Sequence, residues 1–206
     1  MENSHHRRPR GRPRSFDRDK AVAAAAETFW RLGYEGASVA DLTAAMGITP
    51  QSLYTAFTSK ADLYREALHW YQAHVGAFTA RALADEADVV AAFARVLRES
   101  VVEFSRRRDL PGCMISTALL GCAVENEPVA DHAAALRRAT CQSFQARIER
   151  GIADGQLRAD TDAPALARFL GAIIQGMSVQ ARDGASAEEL AGIAELAIGE
   201  LLRHRI

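Results

Sequence analysis

Hydrophobic positions recur at intervals of three and four residues along most of this 206-residue chain, a spacing that predicts amphipathic helices. The pattern is sharpest over residues 38–60, where two helices of about two turns each would be joined by a tight turn. Leu42 and Met46 are one turn apart in the first helix, as are Leu53 and Phe57 in the second. Both pairs would face a shared interior, so the sequence predicts a helix-turn-helix here.

Capping residues mark the ends of these two helices. Ser38 and Asp41 have the spacing of a capping box, and Gly47 can end the first helix because glycine accepts a left-handed backbone without a steric clash. Thr49 would cap the second helix, with Pro50 at its first position, where a missing N–H breaks no helical hydrogen bond. The capping residues therefore predict the same turn between the two helices as the spacing of the apolar residues does.

The second helix carries polar side chains away from its apolar pair. Such side chains can hydrogen-bond to base edges and phosphates, and the amide of Gln51 can pair bidentately with adenine. An ordinary corner between helices in an all-α protein is the alternative. We expect Ser38 and Lys60 to contact the DNA backbone on either side. The predicted DNA contacts of this segment are Ser38, Thr49, Gln51, Ser52, Tyr54 and Lys60.

This segment, Phe16–Leu68, resembles the DNA-binding domain of the TetR/AcrR family of bacterial transcriptional regulators. The resemblance is carried by the run AAAETFWRLGYEGASVADLTAAMGITPQSLYTAFTSKADLYREAL. The family pattern ends in Tyr-x-x-Phe-x-x-Lys, which is matched by Tyr54, Phe57 and Lys60. Thr43 departs from it, since the family usually has Ala there. The resemblance implies a ligand-responsive regulator, most often a repressor, that binds a pseudo-palindromic operator on double-stranded DNA as a homodimer.

An arginine-rich arm precedes the helix-turn-helix. Residues 1–15 hold five arginines interleaved with Pro and Gly, which disfavour a helix. Arg10, Arg12 and Arg14 lie in a run that resembles an AT-hook, and such an arm can lie in the minor groove of A·T-rich DNA. A solvated, nonspecific basic tail is the alternative. The chain carries a net charge of −1, yet residues 1–65 contain 10 basic and 7 acidic residues, which favours DNA binding at this end.

Longer apolar faces over the remaining sequence predict further helices, about nine in all. We expect one helix from Lys60 to about Ala82, and another, apolar on nearly every side, from Cys113 to Val124. The predicted fold class is all-α, with a three-helix helix-turn-helix domain and a larger C-terminal helical domain. The predicted division is a basic disordered arm over 1–15, a DNA-binding domain over 16–62, and a ligand-binding and dimerisation domain over 63–206.

The last two predicted helices, 164–182 and 187–203, both carry wide apolar faces. These faces would either close the core of the monomer or pair with a second copy. In the resembled family the last two helices form a four-helix bundle between protomers. The resemblance therefore implies a homodimer through these two helices.

A ligand pocket is also implied by the resemblance. Helices of the C-terminal domain would enclose a mainly apolar pocket for a small-molecule effector of unknown identity, and the ligand would change the tilt of the helix that begins at Lys60. Core packing is the alternative for each aromatic side chain. The predicted pocket residues are Trp70, His74, Phe78, Phe93, Phe104, Met114, Thr117, Phe144 and Met177.

Catalytic signatures are missing from the sequence. It contains no P-loop, GxSxG, HExxH or dinucleotide-binding fingerprint, so we expect no enzyme, no cofactor and no metal site. His69 and His74 are five residues apart, a poor spacing for joint metal ligation. An architectural DNA-binding protein that uses the basic arm without an effector is the alternative function.

Three cysteines, Cys113, Cys122 and Cys141, lack the paired spacing of metal ligands. Buried structural thiols in a reducing cytoplasm are the favoured interpretation, and a cysteine-based metal or redox sensor is the alternative. No run of about 18 apolar residues occurs, so no membrane span is expected and a cytoplasmic location is predicted.

Overall fold

A computed structural model describes residues 17–206, and the all-α fold is confirmed over that range. The predicted arm, with Arg10, Arg12 and Arg14, lies outside the described residues. Nine α-helices and one 3-10 helix occur in the described part of the chain. They are α1 (Arg18–Gly36), α2 (Val39–Met46), α3 (Pro50–Phe57), α4 (Lys60–His74), α5 (Ala77–Asp85), α6 (Val89–Arg106), the 3-10 helix (Val124–Asn126), α7 (Glu127–Ala153), α8 (Ala163–Arg182) and α9 (Ala187–Arg203).

Helices α1 to α4 surround one hydrophobic core, which we call the N-terminal core. Leu42, Leu53, Phe57 and Tyr64 are buried in it, at least one from each of α2, α3 and α4. Full burial of an apolar side chain of this size contributes about 1.5–3 kcal/mol. The two short helices are therefore held in place by packing, since helices of eight residues are not stable alone.

The predicted caps of the helix-turn-helix are confirmed. The Ser38 hydroxyl accepts from the backbone N–H of Asp41 at 3.1 Å, and the Asp41 carboxylate accepts from the backbone N–H of Ser38 at 2.9 Å. Gly47 ends α2 with a left-handed φ of 66°. The hydroxyl of Thr43 donates to the backbone carbonyl of Val39 at 2.8 Å. Its polar atom is thereby satisfied within α2, and Thr43 fits at this buried position.

The single helix predicted from Lys60 to Ala82 is wrong, because the chain breaks at Gly76. The backbone N–H groups of Val75 and Gly76 both donate to the carbonyl of Tyr71, which ends α4, and α5 begins at Ala77. Glycine weakens a helix by roughly 1 kcal/mol relative to alanine. Phe78 therefore lies on a different helix from Trp70.

The predicted helix Cys113–Val124 is also wrong. Residues 107–123 form a series of turns, which we call the turn segment. Arg137 of α7 donates to the backbone carbonyls of Ile115 at 3.1 Å and Ala118 at 2.8 Å, and so takes up carbonyls that a helix would have paired internally. Gly112 adopts a left-handed φ of 75° at the start of the segment.

Helices α5 to α9 build a second hydrophobic core, which we call the C-terminal core. Its centre includes the edge-to-face pair Phe93 and Phe144, whose ring centroids are 5.3 Å apart. The two cores meet across α4 and the turn segment, because Leu110, Met114 and Ala118 are buried in the N-terminal core. The predicted domain boundary at residue 62 falls inside α4 and stays a prediction.

The pair α8 and α9 buries one side against α6 and α7 and leaves an apolar surface outside. Phe169, Val179, Leu196 and Leu202 are exposed on it, with Leu196 at 79% of its full accessible area. Large exposed apolar patches mark contact surfaces in soluble domains. None of the helices within residues 17–206 has the length and apolar character needed to cross a membrane.

Candidate DNA-binding surface and effector cavity

The outer face of α3 is polar and uncharged. Gln51 and Tyr54 are exposed, Tyr54 at 50%, and Ser52 is half-buried. Leu53 and Phe57 fix the opposite face in the N-terminal core. The helix therefore presents an amide and a phenol to the outside from a rigid support, as direct readout of base edges requires.

The hydroxyls at the start of α3 are already engaged in capping. Thr49 Oγ1 accepts from the backbone N–H of Ser52 at 3.2 Å and lies 3.0 Å from Ser52 Oγ. Ser38 Oγ donates to the Asp41 carboxylate at 2.5 Å. A phosphate oxygen only accepts hydrogen bonds, so a phosphate contact by one of these hydroxyls must use its O–H as donor. The O–H of Ser38 would have to leave the Asp41 carboxylate to make it.

Lys60 begins α4 next to the end of α3. Its ammonium lies 4.6 Å from the centre of the Tyr34 ring, within the range of a cation–π interaction. Burial lowers the pKa of Lys60, and the carboxylate of Glu35 opposes that effect. The sequence prediction missed this support from Tyr34, because the ring is contributed by α1 and no local spacing relates it to α4.

A cavity of about 200 Å³ lies between α4, α5, α6, α7, α8 and the turn segment. Three of the nine predicted pocket residues line it, namely Phe78, Phe104 and Phe144. Much of the remaining wall is polar or sulfur-bearing, and includes Tyr71, Gln72, Cys113, Arg137, Thr140, Cys141 and Gln175.

The other six predicted pocket residues lie elsewhere. Phe93 and Met177 are in the C-terminal core and Met114 is in the N-terminal core, so none of the three reaches the cavity wall. The Thr117 hydroxyl donates to the carbonyl of Cys113 at 3.1 Å. The rings of Trp70 and His74 stack on each other at 4.7 Å, outside the cavity.

Tyr71 joins α4 to the cavity and is almost completely buried, at 2% exposure. Burial raises the pKa of its phenol well above the ordinary value, and a hydrogen bond with the Cys113 thiol adds to that rise. Burial lowers the pKa of Arg137 on the same wall. The sequence feature that could have indicated burial of Tyr71 is its position three residues after Leu68, on the same face of the helix as that buried residue.

Three contacts connect the DNA-binding end to the rest of the molecule. Glu27 of α1 pairs with Arg107 at 2.6 Å, and the carbonyl of Trp30 accepts from Arg182 of α8 at 3.2 Å. Glu35 accepts from the backbone N–H of Ala123 at 2.7 Å. Two of these contacts join α1 to the turn segment, and the third joins it to α8.

The described residues include no group of three or more His, Cys, Asp or Glu side chains that could hold a metal ion. His69 instead packs against His132 of α7, with ring centroids 5.2 Å apart. Burial, followed by the neighbouring charges of His69 and Arg65, lowers the pKa of His132.

Family models match both halves of the chain. Residues 21–67 match the model of bacterial regulatory proteins of the tetR family, and residues 90–194 match a C-terminal domain described as tetracyclin repressor-like. The second match spans α6, the turn segment and α7 to the first half of α9, and alone accounts for half of the sequence.

Relatives and solved structures agree with these models. The HTH-type transcriptional repressor ComR of Escherichia coli (strain K12) is 34% identical over 192 residues, 91% of this chain and 90% of ComR. The repressor BdcR of the same strain is 32% identical, over 94% of this chain and 92% of BdcR. A cysteine mutant of the TetR family regulator CifR, complexed with 26bp double-strand operator DNA, is 43% identical with a TM-score of 0.87, covering 91% of this chain and 98% of that one. These relatives are regulators and not enzymes, and this chain belongs to the TetR family of bacterial transcriptional regulators.

Proposed function

We propose that this protein is a cytoplasmic transcriptional repressor that binds a pseudo-palindromic operator as a homodimer and leaves it when a small molecule occupies the cavity. The observation that carries the proposal is the course of α4. This helix starts at Lys60, beside the exposed face of α3, and ends against the cavity at Tyr71 and its neighbours. One rigid element thus connects a DNA-facing surface to a ligand-sized space.

Recognition of the operator is assigned to α3 in the major groove. Gln51 reads a base edge, while Thr49, Ser52 and Tyr54 contact bases or phosphates. Ser38 and Lys60 contact the backbone, and the first N–H groups of α4 support Lys60 there. The arm residues Arg10, Arg12 and Arg14 add minor-groove contacts.

Dimerisation is assigned to the outer apolar surface of α8 and α9. Leu196 and Phe169 border a depression there that also contains Ile173 and Ile193. A second copy related by a two-fold axis would cover this surface with the same residues. Membership of the TetR family supports this arrangement, because the resemblance to that family implies a dimer through the last two helices.

Release from DNA is assigned to a two-state change. A ligand in the cavity contacts α4 through Tyr71, α5 through Phe78 and the turn segment through Cys113. It must bind more tightly when the two recognition helices of the dimer are at a spacing that does not fit the operator. Operator and ligand then weaken each other by the same factor.

Footprinting of the purified protein on the DNA flanking its own gene tests this proposal. The expected result is protection of two symmetric half-sites about one helical turn apart. Protection of any A·T-rich sequence without symmetry would favour the architectural alternative. A screen for compounds that remove the footprint then tests ligand release.

A further inference from the structure

Two of the three cysteines, Cys113 and Cys141, line the cavity. We propose that the effector is a small thiol-reactive electrophile of the α,β-unsaturated carbonyl class, and that it forms a covalent bond with Cys113. This inference rests on the proposed function, because adduct formation is the event that would release the operator.

Two donor side chains share the cavity wall with Cys113. Tyr71 and Arg137 line the same cavity as the Cys113 sulfur and interact with it. The sulfur attacks as the thiolate, and these donors can stabilise negative charge that develops during the reaction. Cys113 is also half-buried at the edge of the cavity, so a small molecule can reach the sulfur.

The polar wall suits a conjugated carbonyl. The Cys113 sulfur forms a bond to the β-carbon, the π electrons of the C=C bond move onto the carbonyl as an enolate, and the proton released by the thiol ends on the α-carbon. Nothing leaves, and no oxidant or reductant is needed. Arg137 and Tyr71 are donors on the same wall that can stabilise the enolate oxygen, and Tyr71 keeps its proton because it is buried.

The position of Cys113 explains how an adduct would reach the DNA-binding end. Among the partly buried hydrophobic side chains of residues 17–206, Cys113 is the one that packs against both the N-terminal and the C-terminal core. Added atoms at this sulfur therefore enter the junction between the two cores. Because interiors are close-packed, the neighbours must move to accommodate them.

The backbone at this point is held by α8. The N–H of Cys113 donates to Ser178 Oγ at 2.7 Å, and a Cβ on Gly112 would lie 2.4 Å from the Ser178 carbonyl oxygen. The turn segment thus has no room to retreat toward α8. Tyr71 of α4 lines the cavity together with Cys113, so an adduct that displaces the Tyr71 ring would act on α4.

The third cysteine provides a matched control. Cys122 does not line the cavity. Burial, followed by the negative charges of Glu35 and Glu127 and others nearby, raises the pKa of its thiol and so disfavours the thiolate. Cys122 has the same chemistry as Cys113 without the cation or the enclosed space.

The test uses the full-length dimer on its footprinted operator, with 2-cyclohexen-1-one as the probe. Cyclohexanone has the same ring without the double bond and is the control compound. Operator affinity is measured for the natural protein, Cys113→Ser and Cys122→Ser before and after exposure, with each protein as its own reference. Intact mass and peptide mapping locate the adduct.

We expect one adduct on Cys113 and a loss of operator affinity of about fivefold to 150-fold, the usual range of allosteric coupling. The loss should be retained in Cys122→Ser and be absent in Cys113→Ser and with cyclohexanone. Should Cys113→Ser fail to fold, the time courses of Cys113 modification and of operator release are compared in the natural protein. The inference requires the two to run in parallel.

An adduct on Cys141 or Cys122 instead of Cys113, or equal release by cyclohexanone, would overturn the inference. So would a complete Cys113 adduct that stays bound to the operator. In each of these outcomes the untreated protein still selects its operator, so the proposed operator binding is not affected. Failure of the untreated protein to select a symmetric site would instead overturn the proposed function.

Discussion

Glu35 of α1 and Ala123 of the turn segment are joined by a hydrogen bond of 2.7 Å, in which the backbone N–H of Ala123 donates to the carboxylate. Asn126 donates to the same oxygen at 3.0 Å. One acidic side chain thus connects the DNA-binding end to the segment that borders the cavity. The two hydrogen bonds, that of Ala123 first, lower the pKa of Glu35 below its ordinary value.

This pKa shift predicts a pH dependence. A carboxyl whose pKa is lower in the folded state stabilises the protein above its unfolded pKa, about 4.3 for Glu, and that stabilisation is lost as pH falls through the folded value. Glu35→Ala should therefore unfold at lower denaturant than the natural protein at pH 7. The difference should shrink below about pH 4.

Glu35→Gln is the matched control, because its amide oxygen can still accept both hydrogen bonds without the charge. We expect it to fall between the other two proteins at pH 7 and to show little change in acid. Denaturant midpoints for Glu35→Ala and the natural protein that differ equally at both pH values would show that the bond does not titrate as described.

Recognition of bases by α3 is tested by comparing Gln51→Ala with Lys60→Ala. The first should cost about 1–3 kcal/mol on the best operator and relax preference at one base pair per half-site. The second should weaken binding to all sequences alike, because Lys60 would contact phosphate. Binding to a library of single-base operator variants measures both effects.

Lys60→Ala also removes the cation–π contact between Lys60 and Tyr34, so Lys60→Arg is added as a control for this loss. Arginine keeps both the charge and the stacking on Tyr34. It should retain most of the affinity. If Gln51→Ala and Lys60→Ala change every operator variant by the same factor, the assigned roles of the two residues are wrong.

The arginine arm is tested by deletion of residues 1–14. Loss of phosphate contacts should weaken operator binding and flatten its salt dependence by about 0.9 per contact in a log–log plot. A variant with Arg10, Arg12 and Arg14 all changed to Lys keeps the charge but not the shape of guanidinium. This triple lysine variant should keep the salt dependence and lose the preference for A·T-rich flanking sequence. If deletion of residues 1–14 leaves operator affinity unchanged, the arm does not contact the DNA.

The dimer surface is tested by Leu196→Asp. This side chain is 79% exposed on α9, so the substitution costs the monomer little but places two like charges at the centre of the proposed interface. Sedimentation velocity should show that Leu196→Asp is a monomer. Its affinity for the operator, measured separately, should be greatly weakened. Val102→Asp on α6, at a site 59% exposed, is the control and should stay dimeric. A dimeric Leu196→Asp would place the interface elsewhere.

The helix-turn-helix could be predicted from sequence because its signals are local. Ser38, Asp41, Gly47 and Thr49 act within a few residues of their own positions, so their caps follow from spacing alone. The last helix, Ala187–Arg203, was predicted with the same bounds for the same reason, since Ser186 and Glu189 form its capping box.

The turn segment and the cavity could not be predicted in this way. Residues 113–124 are apolar enough for a helix, but Arg137, about twenty residues further on, takes the carbonyls of Ile115 and Ala118. The cavity wall likewise combines Tyr71, Cys113 and Gln175 from three distant parts of the chain. Such contacts depend on tertiary packing, and the spacing of hydrophobic residues along the sequence does not predict them.

The central claim is that α4 couples the cavity to the recognition helices. Calorimetric titration of a compound that releases the protein, with and without saturating operator, tests it most directly. We expect the operator to weaken binding of the compound by the same factor, about fivefold to 150-fold, by which the compound weakens operator binding. Equal affinity of the compound for free and operator-bound protein would contradict the claim.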